Sequence, residues 1–421
     1  MHKDLKNKKY ISWKSFLGNV DFLSLEDIQK YQLKQINKLF SFSSTSCESH
    51  TSLKQIKSLD HLKDVPLMSK RNLSESLDSY SSHLREEYTT TGGSSGTPVG
   101  MYRDKDAFSK ELASKAHQYH RVGWNENHRQ IVLRGIPIEG REKFEMFEEY
   151  NELRFSSYFL NEENMISFYK KCLEYKPQWL RCYPSSGYIF SEWLNNNNLN
   201  IPLLGVLCAS ENLYDYQKKS MKKAFSGRIF SHYGNYELSS LGGYCEHEDT
   251  YHFLPQYSYT EILDENGNDV REGEIGEIVS TSFINYGTPI IRYKTGDIGR
   301  FVGRKCSSCG RNHLILESIE GRKSNIFYTK DKRPISMTAI NFHDDTFEEV
   351  IQYQFIQKLP GEVTIRVIKN EKWNENSSKK IISNLKNKVG NDFKIILECD
   401  KIMHKSKRGK HVLLIQEIKN D

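Results

Sequence analysis

The chain is 421 residues long, with 37% hydrophobic and 27% charged residues, the composition of a folded globular protein with two or three domains, which excludes wholesale disorder. Sixty basic against 54 acidic residues leave a net charge of +6, a small excess that helps a polyanionic ligand bind but does not by itself argue for nucleic acid. No apolar run approaches the ~18 residues needed to cross a bilayer, and the opening MHKDLKNKKYISWKSF has no apolar segment of signal-peptide type, so a cytoplasmic location is expected.

Residues 1–85 read mainly as helices. In SLEDIQKYQLKQINKLF, Leu25, Ile28, Leu33, Ile36 and Leu39 recur at helical spacing behind the N-cap candidate Ser24. The loop TGGSSGTPVG, residues 91–100, follows. Two readings compete for it: a tight surface turn, or a phosphate cradle in which missing side chains let backbone N–H groups close on an anion. A Walker-type cradle needs a lysine after its last glycine, and none follows Gly96, so that version fails. Beyond the loop DKDAFSKELASKAHQYHRVGW is helical and QIVLRG is a buried strand. LRFSSYFL and WLRCYPSS repeat that strand character on either side of the helical NEENMISFYKKCLEYKPQ. Such alternation predicts an α/β layered domain with a largely parallel sheet.

From Thr260 the texture changes. YTEILDENGNDVREGEIGEIVSTSF reads as strand, Asn-Gly turn, strand, Gly-bounded turn, strand, a β-rich subdomain over about 255–320. After GRKSN, the strands EVTIRVIK and HVLLIQEI and the helix SSKKIISNLKNKVG suffice for a small α+β domain. The expected organisation is a large domain over 1–321, a hinge at 322–325 and a small domain over 326–421. No repeat of solenoid period is present, and the NNNN run at 195–198 reads as a loop.

Four short motifs follow the glycine loop in order: SHYGNYE (231–237), YKTGD (293–297), GRKSN (321–325) and KRGKHVLL (407–414). Together with the loop they resemble the phosphate loop T-S-G-T-T-G-K-P-K-G, the Y-G-x-x-E core, the T-G-D motif, the hinge motif and the C-terminal lysine motif of adenylate-forming enzymes. The resemblance runs from about residue 60 to the C-terminus. It is strongest to the phenylacetate-CoA ligase family, in particular its members from capsule and surface-polysaccharide gene clusters, whose loop has the same TGGS opening and a YRD-like continuation, here MYRD.

The resemblance implies a large multi-subdomain α/β domain with layered sheets, and a small mobile α+β lid. It implies a ligase that activates a carboxylic acid with ATP as acyl-AMP, releases pyrophosphate and transfers the acyl group to CoA. The polysaccharide-cluster likeness keeps an amine acceptor, and so an amide product, as the alternative. A non-catalytic nucleotide or RNA binder is the rival from another class, and no RNP-type motif supports it. Thr91, Gly93, Ser94, Ser95 and Gly96 would hold phosphates; Tyr233, next to Gly234, would lie against adenine, with Ser210 and Glu211 of ASEN (209–212) on the adenine side. Glu237 would meet Mg²⁺, Asp297 the ribose hydroxyls and Arg322 the ribose from the hinge, while Lys410 would meet the charge that builds on the α-phosphate. Arg134, Tyr183, Ser185 and His232 are candidates for lining the acyl pocket. Two positions depart from the family pattern: Thr97 stands where many relatives have lysine, leaving Lys105 or Arg103 to replace it, and Asn325 replaces the common hinge aspartate.

Eight cysteines spread along a chain of this kind argue against a disulfide framework. CSSCGR (306–311) has the form of a zinc knuckle and supplies two ligands, Cys306 and Cys309. Cys245 and His252 of YCEHEDTYHF, with His247 as substitute for the latter, resemble the Cys and His of metal-bearing relatives. Three sulfurs and one nitrogen would close a tetrahedral, structural zinc site; a CxxC redox pair and unliganded thiols are the alternatives. Cys172, Cys182, Cys208 and Cys399 have apolar neighbours and are expected in the core. The partners implied are a small-molecule carboxylate and CoA or an amine, without nucleic acid or membrane insertion, and the oligomeric state is open, a dimer included.

Overall fold

The structure is a computed structural model and describes residues 3–90, 100–136, 138, 143–157, 159–322, 326–330, 334–336, 346–389, 393–400, 402–404 and 412–418. Helix α1 (Lys8–Asn19) starts at Asn7, whose side chain accepts the Lys9 N–H. Helix α2 (Leu25–Ser46) starts where its sequence places it. Ser24 Oγ accepts the Asp27 N–H at 3.1 Å, and Glu26 and Asp27 lie in the positive first turn. Its inner face, Ile36, Leu39 and Phe40, packs on Phe283 and Ile291, while Leu25 of the expected apolar stripe is exposed.

Just past α2, His50 is buried edge-on to Tyr80 at 5.3 Å, and burial pushes its pKa down to about 4. A histidine depressed on folding contributes stability above its unfolded pKa of ~6.5 and loses it as pH falls through the folded value. Chemical denaturation from pH 7 to pH 4 should therefore show a stability loss that His50→Gln makes smaller by up to ~3 kcal/mol. Equal pH slopes in the two proteins would contradict it.

After α3 (Lys70–Ser76), strands β1 (Glu87–Thr90) and β2 (Gly100–Arg103) form an antiparallel hairpin with Thr90 opposite Gly100. Helix α4 (Ala107–His120) leads into the main sheet, whose strands are β3 (Gln130–Arg134), β4 (Phe144–Phe147), β5 (Glu152–Ser156), β6 (Trp179–Cys182), β7 (Gly205–Ala209), β8 (Arg228–Gly234), β9 (Leu241–Tyr244), β10 (Tyr251–Phe253), β11 (Ser258–Leu263), β12 (Ile275–Ser282), β13 (Tyr293–Gly303) and β14 (Leu314–Arg322). The order across the sheet is β11-β12-β13-β14-β10-β9-β8-β7-β6-β3-β5-β4.

Strands β5, β3, β6, β7 and β8 run parallel. Helices α5 (Glu162–Tyr175), α6 (Pro184–Asn196) and α7 (Asp215–Phe225) bring Phe168, Phe190 and Phe225 onto one face, against Val206 and Cys208. Residues of α4 cover the other face, where Leu207 packs with Tyr119 and Phe230. A strand covered on both faces is apolar at every position, which is why GVLCA is buried throughout.

The β-rich stretch is not set apart from this sheet. β9 pairs with β8 and β10, and β10 with β14, so one hydrogen-bonded ladder runs on into β11–β13. The expected middle strand after the Asn-Gly turn shrinks to a single bridge, Leu263 with Asp269. Asp264 accepts the Asn266 and Asn268 N–H groups, which closes the Asn-Gly turn.

Beyond β15 (Ile326–Tyr328) and β16 (Pro334–Ser336), strands β17 (Val350–Leu359) and β18 (Glu362–Lys369), helix α8 (Glu375–Val389) and strands β19 (Lys394–Cys399) and β20 (Leu414–Gln416) form a four-stranded sheet, order β19-β18-β17-β20, with its own core of Phe355, Ile365, Ile381 and Leu385. Tyr216 of α7 joins that core, 6.0 Å from the Tyr353 ring. Cys399 corrects an expectation: it is exposed, because it ends the edge strand β19 past the reach of α8. Cys172, Cys182 and Cys208 are buried as expected.

Candidate active site

In a parallel sheet the crevice for a ligand lies beyond the carboxyl ends of the strands. Here those ends carry Arg134 (β3), Ser156 (β5), Tyr183 one residue past β6, Ser210 one residue past β7, and His232 to Gly234 (β8). Proline at the first position of α6 starts that helix immediately after Tyr183, so the Ser185 N–H is free of the helix ladder; it donates to Glu211 Oε2 at 3.0 Å. The loop that presents Glu211 turns through Ser210 at φ +73°, a left-handed conformation that a non-glycine residue keeps only where its surroundings enforce it.

Residues from two separate motifs meet at the end of β8. Tyr233 Oη donates to Asp297 Oδ2 at 2.8 Å, and Tyr293 Oη donates to Glu237 Oε1 at 3.1 Å. The Asp297 N–H donates to Thr295 Oγ1, whose hydroxyl donates to Ile278 O, so the T-G-D turn is fastened to β12. Burial, then the nearby charges of Asp297 and Glu237, hold the Tyr233 phenol well above its usual pKa, so it stays a neutral donor. Gly234 follows on the exposed side. Arg322 lies on β14 in register opposite Asp297, and its side chain lies outside the described residues. So do Thr91, Gly93, Ser94, Ser95, Gly96, Thr97, Asn325 and Lys410. Of the two suggested substitutes for lysine at Thr97, Arg103 has its guanidinium 4.9 Å from the ring of Tyr236, next to Glu237, whereas Lys105 is exposed.

On the other side of the crevice Arg134 lies 5.7 Å over the Tyr183 ring. His232 Nδ1 is 3.1 Å from Gln118 Oε1, and since an amide oxygen only accepts, Nδ1 carries the proton. Burial, then Lys115, Arg134 and Arg181, hold His232 well below the usual histidine pKa, so it is neutral.

The cysteine cluster is assembled from both segments. Ligand atoms of Cys245, His252, Cys306 and Cys309 all lie within 4.8 Å of one another. Cys245 Sγ is 4.0 Å from Cys306 Sγ, and His252 Nδ1 is 3.7 Å from Cys309 Sγ. The knuckle closes with the Gly310 N–H on Cys306 O and Gly310 at φ +78°, a turn that a side chain would strain. His247 is not in the group; its backbone N–H donates to Cys245 Sγ instead. Without metal, burial pushes the Cys245 thiol up to about 12 and keeps His252 neutral, with a pKa of about 4. The donor set of three sulfurs and one neutral imidazole fits a four-coordinate ion with no open position.

Beside it lies a buried ionic network that the sequence did not announce. Asp21 accepts from Arg311 Nε at 2.5 Å, Arg121 Nη2 at 2.6 Å and His117 Nε2 at 2.9 Å, and Arg311 Nη1 donates to Glu246 at 2.5 Å. Asp21 and Arg311 are 290 residues apart, so no local pattern links them; the one clue was an arginine closing CSSCGR. Burial alone would raise the Asp21 pKa, but His117, Arg121 and Arg311 hold it well below the usual carboxylate range.

Residues 327–417 match the family model of the CapK C-terminal domain. Protein CapK of Staphylococcus aureus is 23% identical over 348 residues, 78% of this chain and 74% of CapK. A phenylacetate-coenzyme A ligase of Thermus thermophilus is 23% identical over 160 residues, 36% of each chain. Among solved structures, 2-hydroxyisobutyryl-CoA ligase in the postadenylation state, in complex with R3-HIB-AMP, is similar at a TM-score of 0.75 and 15% identity, over 94% of this chain and 91% of that one.

Proposed function

We propose, from the adenylate-forming CoA ligase fold that this chain shares, that it activates a carboxylic acid with MgATP and passes the acyl group to CoA. The observation that carries the reading is the meeting of Tyr233, Glu237 and Asp297, from two motifs whose bonded pairs are 64 and 56 residues apart, at the carboxyl ends of the parallel strands. In the first half-reaction a carboxylate oxygen attacks the α-phosphorus and pyrophosphate leaves; in the second the CoA sulfur attacks the acyl carbon and AMP leaves. Asp297, an acceptor on a fastened turn, suits paired ribose hydroxyls, and opening its bond with Tyr233 would free the phenol ring to lie against the base. Glu237 offers the hard oxygen that Mg²⁺ prefers. Pyrophosphate release from MgATP, scored over a panel of carboxylates with CoA and, separately, with amines as acceptors, tests the reading. Release with no acid in the panel and no binding of MgATP would refute it, and turnover only with amines would replace the thioester by an amide.

The four-residue cluster is read as a structural zinc site. Its ligands lie in segments 61 residues apart, so an ion there would close a long loop and stabilise the folded chain. The purified protein should carry about one zinc per chain, and chelation or Cys306→Ser should lower the unfolding temperature, with activity lost only as folded protein is lost. Well under one zinc per chain, or full stability in Cys306→Ser, would leave the cysteines without this role.

A further inference from the structure

One cation at the carboxyl edge of the sheet, Arg134, has no counter-charge among the described residues. Its neighbours are each matched: Arg154 and Arg181 lie 2.8 and 2.9 Å from Glu152, and Lys115 lies 2.5 Å from Glu111. Among the described residues no carboxylate forms an ion pair with Arg134. Its Nε is buried and has no hydrogen-bond partner, and the same holds for Ser156 Oγ and Gln118 Nε2. Ser156 is the register partner of Arg134 across β5 and β3, so these two orphaned groups are neighbours, and Gln118 is bonded to His232 at the end of β8. Arg134 is half-buried, and a guanidinium partly removed from water with an unpartnered buried Nε carries an electrostatic cost that a ligand's anion would relieve.

The place of Arg134 separates it from the nucleotide end. In the sheet order β8-β7-β6-β3, Tyr233 on β8 and Arg134 on β3 are three strand spacings of ~4.8 Å apart, or ~14 Å. That span fits the length of a small acid whose one end is adenylated near Tyr233 and Asp297 and whose other end reaches β3. We propose that the acid this protein activates carries a second anionic group, remote from the carboxylate that is adenylated, and that Arg134 binds that group beside Ser156 and the Tyr183 ring. The proposal rests on the ligase reading above. A neutral tail would leave the Arg134 Nε buried and without a partner, and the ring face of Tyr183 is a weaker substitute for an anion.

The test compares straight-chain dicarboxylates with their half-amides, which match them in length and shape but lack the second charge; phosphonocarboxylates form a second anionic series. Pyrophosphate release by the wild-type protein should favour the dianions over the half-amides by ~10- to 100-fold in kcat/KM, the discrimination expected of one charged hydrogen-bonded pair. Arg134→Leu should erase that preference and Arg134→Lys should keep part of it. Should the leucine variant fail to fold, the wild-type ratio and the lysine variant decide. Half-amides used as well as the dianions, or no dianion bound by calorimetry to wild-type protein that does bind MgATP, would overturn the proposal and leave the ligase reading standing. Wild-type protein that binds no MgATP would instead remove the ligase reading and this proposal with it.

Discussion

Replacing Asp21 by alanine should destabilise the fold by about 3–5 kcal/mol, the loss expected when one member of a buried ionic network is removed and its partners stay behind. Asp21 is 5% exposed and is the carboxylate to which His117, Arg121 and Arg311 all donate. Arg311 would keep Glu246, but Arg121 would keep no carboxylate among its bonded partners, and its Nε and Nη1 already have none. The network joins the end of α1, helix α4 and the cysteine knuckle, so the loss should appear as an unfolding of the whole large domain rather than as fraying of the N-terminus. Denaturant unfolding of Asp21→Ala and Asp21→Asn, with Arg121→Ala as the second edge of a double-mutant cycle, measures it. A loss below ~1 kcal/mol would mean that the network is already solvated and behaves as surface pairs do.

The largest effect on activity is expected at Lys410. This residue lies outside the described part of the chain, and its role rests on the KRGK motif at the end of the small domain. Attack on the α-phosphorus builds negative charge on its oxygens, and one ammonium aimed there stabilises the transition state. Lys410→Ala should slow acyl-AMP formation by ~10²-fold or more, the loss typical of one such contact, while thioester formation from supplied acyl-AMP stays largely intact. Unchanged pyrophosphate release in the variant would sink the assignment, and an equal loss in both half-reactions would give the lysine a role beyond the α-phosphate.

Much of the architecture was legible because it is written in local pattern. Ser24 before a 3.6-residue period starts α2, and the short apolar run within QIVLRG is the buried strand β3. What local pattern could not carry was pairing between distant segments. The same alternation suits a strand in a separate subdomain and a strand added to the main sheet, and only the ladder from β8 through β9, β10 and β14 shows the second. The exposure of Cys399 has the same origin, since an edge strand looks like a central one until its neighbours are known.

The site divides along the same line. The resemblance of short, ordered motifs to those of adenylate-forming enzymes singled out Tyr233, Glu237 and Asp297. Likewise the CxxC spacing singled out Cys306 and Cys309, since two ligands to one ion can come from a single turn. That the Tyr233 phenol bonds Asp297, and that His252 rather than His247 faces the sulfurs, depended on how β8, β10, β13 and β14 lie together. The unmatched charge on Arg134 was likewise invisible in sequence. A chain with 60 basic and 54 acidic residues offers nearly every arginine an acid on paper, and only folding decides which pairs come within reach and which cation, like Arg134, pairs with no carboxylate among the described residues.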